Sequence, residues 1–352
     1  MNIALWAPFF KKDVSDLEDF IVETIPHFIL QHPNDKFFIL TETELSGQFD
    51  FPGNTETIIT KTQQKNALLK RILWDVKLPS TLKKIKADLF ISFADRCSLT
   101  AAIPQFIFSN EPERLKPSFI KKARLIFVMS ESIKGQLIKS HKIPGEKIIV
   151  IYPAPHKDYL TMDVNRKEHT KEEYSEGKEF FLYNSGFNKQ ENLIELLKSF
   201  SHFKKRQQSN FKLLLLRESN PFIEKTLSAY KYRNDVKFIG AKDKNIGAVV
   251  TAAAYAAILP FNTNEDIIAA LNAMKSGVPV ITTKSSAINE VAEDAALCAE
   301  KEIKDIGEKM MQLYTNENLR SEMIEKGIEK VKGFTYEKAV EYLWRSIRQA
   351  YK

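Results

Sequence analysis

Glycine is scarce in this 352-residue chain, with 12 residues, and no two stand closer than Gly47 and Gly53. No G-x-G occurs anywhere, so the P-loop and the dinucleotide fingerprint are excluded, because each needs clustered glycines for close phosphate approach. Cysteine is nearly absent. Cys97 and Cys298 stand about two hundred residues apart, too few for a zinc site or a disulfide framework, and a reducing compartment is expected. No D-x-D and no histidine pair at metal-ligand spacing is present, so no metal is expected at the site. The longest apolar run, Ala248 to Phe261, is too short and alanine-rich to span a bilayer, and the first residues do not read as a signal peptide. A cytoplasmic protein is expected.

What is present is an ordinary globular composition, 43% hydrophobic and 28% charged, on a chain long enough for two cores. The net charge is +7. A nucleic-acid surface would interleave basic residues with stacking aromatics on one element; the nearest approach is the stretch 65–86, which reads first as an ordinary basic helix face, so nucleic acid is not an expected partner. The basic stretch 65–86 holds Lys65, Lys70, Arg71, Lys77, Lys83, Lys84 and Lys86 around Trp74. Leu68, Ile72 and Val76 recur within it at every fourth place, which predicts an amphipathic helix with a solvated basic face. Peripheral contact with an anionic membrane is its expected second role.

Short β-branched or aromatic runs alternate with helical periodicity along the chain. The first half predicts strands at Asn2–Ala7, Lys36–Thr41, Thr57–Thr60, Asp88–Ser92, Gln105–Ser109, Arg124–Met129 and Lys147–Tyr152. The second half predicts them at Glu179–Asn184, Phe211–Leu216, Val236–Ile239, Ala256–Pro260 and Val278–Thr282, after which the chain reads as helical. Several are unbroken apolar runs, which implies burial on both faces and hence parallel sheets. The fold class is therefore α/β, with two Rossmann-like doubly wound domains facing across a cleft where a ligand would bind. Composition turns almost wholly polar between Met162 and Lys178. That places a first domain at 1–161, joined by the apolar-faced terminal helix 336–352, a polar linker at 162–178 and a second domain at 179–335. Ser130 reads as a helix N-cap and Trp344 as packing.

The segment AAILPFNTNEDIIAALNAMKSGVPVITTKSSAINEVAEDAAL (Ala256 to Leu297) resembles the C-terminal domain of retaining family-4 (group 1) glycosyltransferases of the GT-B fold. It is similar to their strand–Pro–Ser–x–x–E-G-F-G–helix–E-A-M–x–x–G–x-P-V-I block. FFLYNSGFNKQENLIELLKSF (Phe180 to Phe200), VKFIG at Val236 and the tail GFTYEKAVEYLWRSIRQAYK fit the same pattern. So do RILWDVKLPSTLKKIKADLFIS (Arg71 to Ser92) and RLIFVMSESIKGQLI (Arg124 to Ile138) in the first half.

The resemblance implies transfer of a sugar from a nucleotide-sugar donor to a glycan or lipid-linked acceptor, with retention and without a metal or other cofactor. It places the donor on Gly186, Asn188, Lys189, Phe261, Asn264, Glu265 and Asn272, and the acceptor near Phe9, Lys11, Asn110 and Glu111. It assigns no catalytic base. The chain departs from the family where the diphosphate is held. Gln190 and Glu191 occupy the cationic clamp positions, leaving Lys189 as the nearby cation. The E-x7-E glutamates fall on Asn264 and Asn272, or on Glu265 and Asn272 with a one-residue slip, and Asp266-Ile267-Ile268 replaces G-F-G. A carboxylate about 4 Å from a phosphate, at an effective dielectric near 20, opposes binding by roughly 4 kcal/mol before screening. Lys11, Lys12 or Arg217 would have to offset it. The alternatives are a catalytically inactive GT-B-like protein acting as a binding or scaffolding partner in a glycan pathway, and a donor lacking a diphosphate, such as a sugar phosphate or a lipid-linked sugar.

Overall fold

The computed structural model describes residues 1–8, 16–42, 51–60, 73–109, 114–185, 190–207, 209–240, 244–261, 264–284, 286–300 and 303–351. The chain divides into two units, Met1–Pro153 with Thr335–Lys352, and Ala154–Phe334.

The first unit is built on a parallel sheet of seven strands: β1 (Asn2–Trp6), β2 (Lys36–Thr41), β3 (Thr55–Ile59), β4 (Leu89–Ser92), β5 (Gln105–Phe108), β6 (Leu125–Val128) and β7 (Ile148–Val150). Their order is β3-β2-β1-β4-β5-β6-β7, so the winding direction reverses between β1 and β4. The expected double-sided burial holds for the central strands, where β4, β5 and β6 are buried at every position. The last helix, Tyr336–Tyr351, belongs to this unit and sets Val340, Leu343 and Ile347 inward. Its Trp344 ring meets Phe28 and His32 edge-on at 5.5 and 4.6 Å. Tyr336 stacks on His27 at 5.1 Å. Ser130 caps its helix as read, accepting from the Ile133 N–H at 3.1 Å.

The second unit repeats the scheme with six parallel strands: β8 (Phe180–Tyr183), β9 (Lys212–Leu216), β10 (Val236–Ile239), β11 (Ala256–Leu259), β12 (Val280–Thr283) and β13 (Ala296–Ala299). The order is β10-β9-β8-β11-β12-β13, with the reversal between β8 and β11. Phe181 and Tyr183 of β8 alternate onto one face, where they join Leu213, Leu215, Phe200 and Phe203 in the core.

Three expectations are corrected. Strand β13 lies beyond Thr282, where only helix was expected; Ala-Leu-Cys-Ala pairs with β12 from Val280↔Ala296 to Thr283↔Ala299. The polar stretch expected as a linker contains a helix, Val164–Ser175, in the second unit. Asp163 caps its first turn, accepting from the Arg166 N–H at 3.0 Å, and Lys171 binds Glu168 at 2.9 Å and Glu179 at 2.5 Å. It is held by polar contacts, so it shows no apolar stripe. In the basic stretch, residues 65–72 lie outside the described residues. Beyond them Val76 is exposed, whereas Trp74, Leu78 and Leu82 are buried. The buried stripe runs 74-78-82, two residues out of phase with the expected one, because Trp74 turns in to meet Trp6 at 4.9 Å.

Candidate functional site

An open parallel sheet binds ligands beyond the carboxyl ends of its strands at the point where the winding reverses. In the second unit that point lies between β8 and β11, and the chain leaves β8 at Asn184. This side chain is buried, at 8% exposure, and neither its Oδ1 nor its Nδ2 has a hydrogen-bond partner. Leaving a buried amide unpaired costs on the order of 1–3 kcal/mol per group. Such a group at the switch point of a sheet is a candidate ligand contact. Sequence reading passed over Asn184 as the end of a strand. Its position, one residue before the loop that begins at Ser185, was the available signal.

Across the switch, β11 runs into Phe261 and the helix Asn264–Lys275. Phe261 is half-buried and meets Tyr183 edge-on at 5.9 Å, so it closes the space between the ends of β8 and β11. Asn264 and Glu265 open the helix; their side chains are outside the described residues, as are Gly186, Asn188 and Lys189 entirely. Gln190 and Glu191 form the first turn of the helix Gln190–Gln207. Asp266 is fully buried rather than displayed at the helix mouth.

Asn272 lies on the helix Asn264–Lys275. It is 1% exposed, and its Oδ1 accepts from the His156 N–H at 2.9 Å. A backbone N–H only donates, so one lone pair of the carboxamide oxygen is committed to this bond, and Nδ2 with its two protons remains the donor end. Lys275 reinforces the link, donating to the His156 and Lys157 carbonyls at 2.8 and 3.4 Å. Burial holds the Lys275 ammonium below its usual range, with Asp158 opposing the shift. The helix Asn264–Lys275 is thereby fastened to the segment around His156, 116 residues away in sequence.

At the far side of β8 the rim is shaped by Glu218 and Gly240, which follow β9 and β10. The Glu218 carboxylate lies over Gly240, where an added Cβ would come within 3.0 Å of Glu218 Cδ. In the first unit the acceptor-side residues Phe9, Lys11, Asn110 and Glu111 are outside the described residues. Their neighbour Ser109 is buried and donates to Asp95 Oδ1 at 2.6 Å.

Burial pushes the Cys97 thiol up to about 12 and raises Cys298 too, so neither supplies a thiolate at neutral pH. Among the described residues, no group of three or more His, Cys, Asp or Glu side chains could hold a metal ion, and no helix is long and apolar enough to cross a membrane.

Residues 164–330, nearly the whole second unit, match the family model for glycosyl transferases group 1. The fold is that of the GT-B glycosyltransferases. A glycosyltransferase from Rickettsia africae ESF-5 superposes on 100% of this chain and 98% of its own, at 16% identity and a TM-score of 0.79. The Anabaena protein HepE, solved in complex with UDP and glucose, covers 99% of this chain and 100% of its own, at 13% identity and a TM-score of 0.77. Sucrose-phosphate synthase from Thermosynechococcus elongatus covers 99% and 98%, at 14% identity and a TM-score of 0.75. None of the curated proteins matches the chain significantly by sequence. At these identities the solved structures speak for the fold. The group 1 match on the unit that carries Asn184 and Phe261 supports the family.

Proposed function

We propose that this chain is a glycosyltransferase that moves a hexosyl group from a nucleotide-sugar to a glycan or lipid-linked acceptor, with retention and without a metal, in polysaccharide assembly. The observation that carries this reading is the coincidence of the group 1 match with a sheet switch point at which a buried carboxamide, Asn184, is left without a partner. In the reaction the bond between the sugar C1 and the diphosphate oxygen breaks, and a bond from C1 to an acceptor hydroxyl oxygen forms on the same face. The hydroxyl proton leaves with the diphosphate. Charge that builds on the leaving group calls for fixed hydrogen-bond donors. Asn184, Lys189 and the N–H groups that open the helix at Asn264 are the donors offered, with Phe261 and Glu265 beside the sugar. Asn272 contributes Nδ2 as a donor. The acceptor is received by the first unit near Phe9, Lys11, Asn110 and Glu111. The expected location is the cytoplasm, with the stretch 65–86 resting on an anionic membrane.

A second reading, a catalytically inactive GT-B-like protein that binds a nucleotide-sugar or a partner transferase, is favoured by Gln190 and Glu191 at the clamp positions and by the commitment of Asn272 to His156. The two part on turnover. UDP-, GDP- and ADP-sugars are incubated with the protein and an oligosaccharide and lipid-phosphate acceptor panel, and release of nucleoside diphosphate is followed. Release that depends on the acceptor supports the transferase; binding without release supports the inactive protein.

A further inference from the structure

The first unit has its own switch point, between β1 and β4, and there the chain holds a guanidinium with no ion-pair contact among the described residues. Arg96 lies four residues beyond β4. Its Cζ sits 3.9 Å over the Trp74 ring and 5.9 Å from Phe119. Trp74 in turn meets Trp6, the last residue of β1, at 4.9 Å. The Arg96 Nε is buried without a hydrogen-bond partner. Among the described residues no carboxylate lies within the 4.0 Å of an ion pair with it. Asp75 and Glu42 are close enough to act on its charge, yet burial outweighs them and lowers its proton affinity. Both carboxylates have other partners.

The loop that carries Arg96 is pinned along its length. The Phe93 N–H donates to the Trp6 carbonyl at 2.9 Å, Ser109 holds Asp95, and the Ser98 N–H donates to Gln105 Oε1 at 2.9 Å. A half-buried cation without an ion-pair contact is costly, and stacking on an indole offsets only part of that cost. The fixed loop also removes the freedom to swing the head into water. A planar guanidinium held in this way is prepared for a bidentate oxyanion.

We propose that Arg96 is an anion-binding residue of the first unit, which engages an oxyanion, phosphate or carboxylate, carried by the molecule that this unit receives. Resting on the transferase reading, that molecule is the acceptor, and its class is an acceptor with a phosphate or an acidic sugar beside the hydroxyl that is glycosylated.

The test follows the Nε–Hε resonance of Arg96 in the full chain labelled with 15N, assigned by its disappearance in Arg96→Lys. Sodium phosphate, glucuronate and glucose are titrated separately. A saturable shift with phosphate alone assigns a phosphorylated acceptor, and one with glucuronate alone an acidic sugar. A shift with both assigns a general oxyanion seat. Each supports the proposal, provided that glucose leaves the resonance in place. Calorimetry of the active anion on Arg96→Met, which keeps the stacked stem, is expected to show affinity lower by about tenfold or more. No shift with either anion, an equal shift with glucose, or undiminished anion affinity in a folded Arg96→Met protein overturns it. The wild-type titration stands even if the Met variant does not fold. Nucleotide binding by the second unit is measured on the same sample, so loss of the donor reading and loss of the Arg96 site register separately.

Discussion

Replacing Asn184 by leucine should move stability and ligand affinity in opposite directions. The native side chain buries one carbonyl oxygen and one amide nitrogen with no partner for either. A leucine of similar volume removes two unsatisfied groups and breaks no hydrogen bond, which favours the folded state by about 1–2 kcal/mol. For a cooperative unit of this size, that corresponds to a rise in Tm of about 2 to 8 °C. If the carboxamide donates to a phosphate oxygen of the donor, the same change removes a charged hydrogen bond, and nucleoside diphosphate affinity should fall roughly 10- to 100-fold. Differential scanning calorimetry of the ligand-free proteins and isothermal titration with the preferred nucleotide measure the two effects. A fall in Tm would mean that Asn184 is satisfied in solution and structural. An unchanged dissociation constant would remove it from the ligand site.

Asn272→Ala leaves the His156 N–H without its acceptor in a buried setting, and is expected to lower stability by about 1–3 kcal/mol, read as a lower denaturation midpoint. Gly277→Ala forces a residue with a Cβ into φ +70° and against Thr161 Cγ2 at 3.2 Å, so a loss of about 1–2 kcal/mol is expected in the same assay. The buried Cys97 thiol titrates near 12 in the folded chain against an ordinary 9.0, so the unfolded chain loses its proton first as pH rises. Its contribution is complete below pH 9 and declines above it by up to about 1.4 kcal/mol per pH unit. Thermal melts from pH 8 to 10 should therefore fall more steeply for the wild type than for Cys97→Ala; parallel curves would contradict the assignment. The membrane expectation is tested by sedimentation with neutral and anionic liposomes, where greater pelleting with anionic lipid is expected and equal pelleting counts against it.

The architecture was legible because both sheets are parallel and covered on both faces, so Leu125–Val128 and Lys212–Leu216 announce themselves as unbroken apolar runs. β13 was not, because Ala-Leu-Cys-Ala is too short and small to be told from a helical stretch without its partner β12. The helix Val164–Ser175 is held by Asp163 and by lysine–carboxylate contacts, which leave no periodic apolar signature. The site was less legible. The resemblance named residues of the second unit, but the hydrogen-bond partner of Asn272, His156, lies 116 residues away. Asn184 and Arg96 are singled out only by what surrounds them after folding: an amide with no partner, and a guanidinium between aromatic rings. No spacing rule encodes either.

The account rests on the second unit seating a nucleoside diphosphate at the end of β8. Isothermal titration of the full chain with UDP, GDP and ADP tests this directly. Saturable binding of one of them, weakened in Asn184→Leu, is the predicted result. No heat from any of the three, with the protein folded and monodisperse, would contradict it.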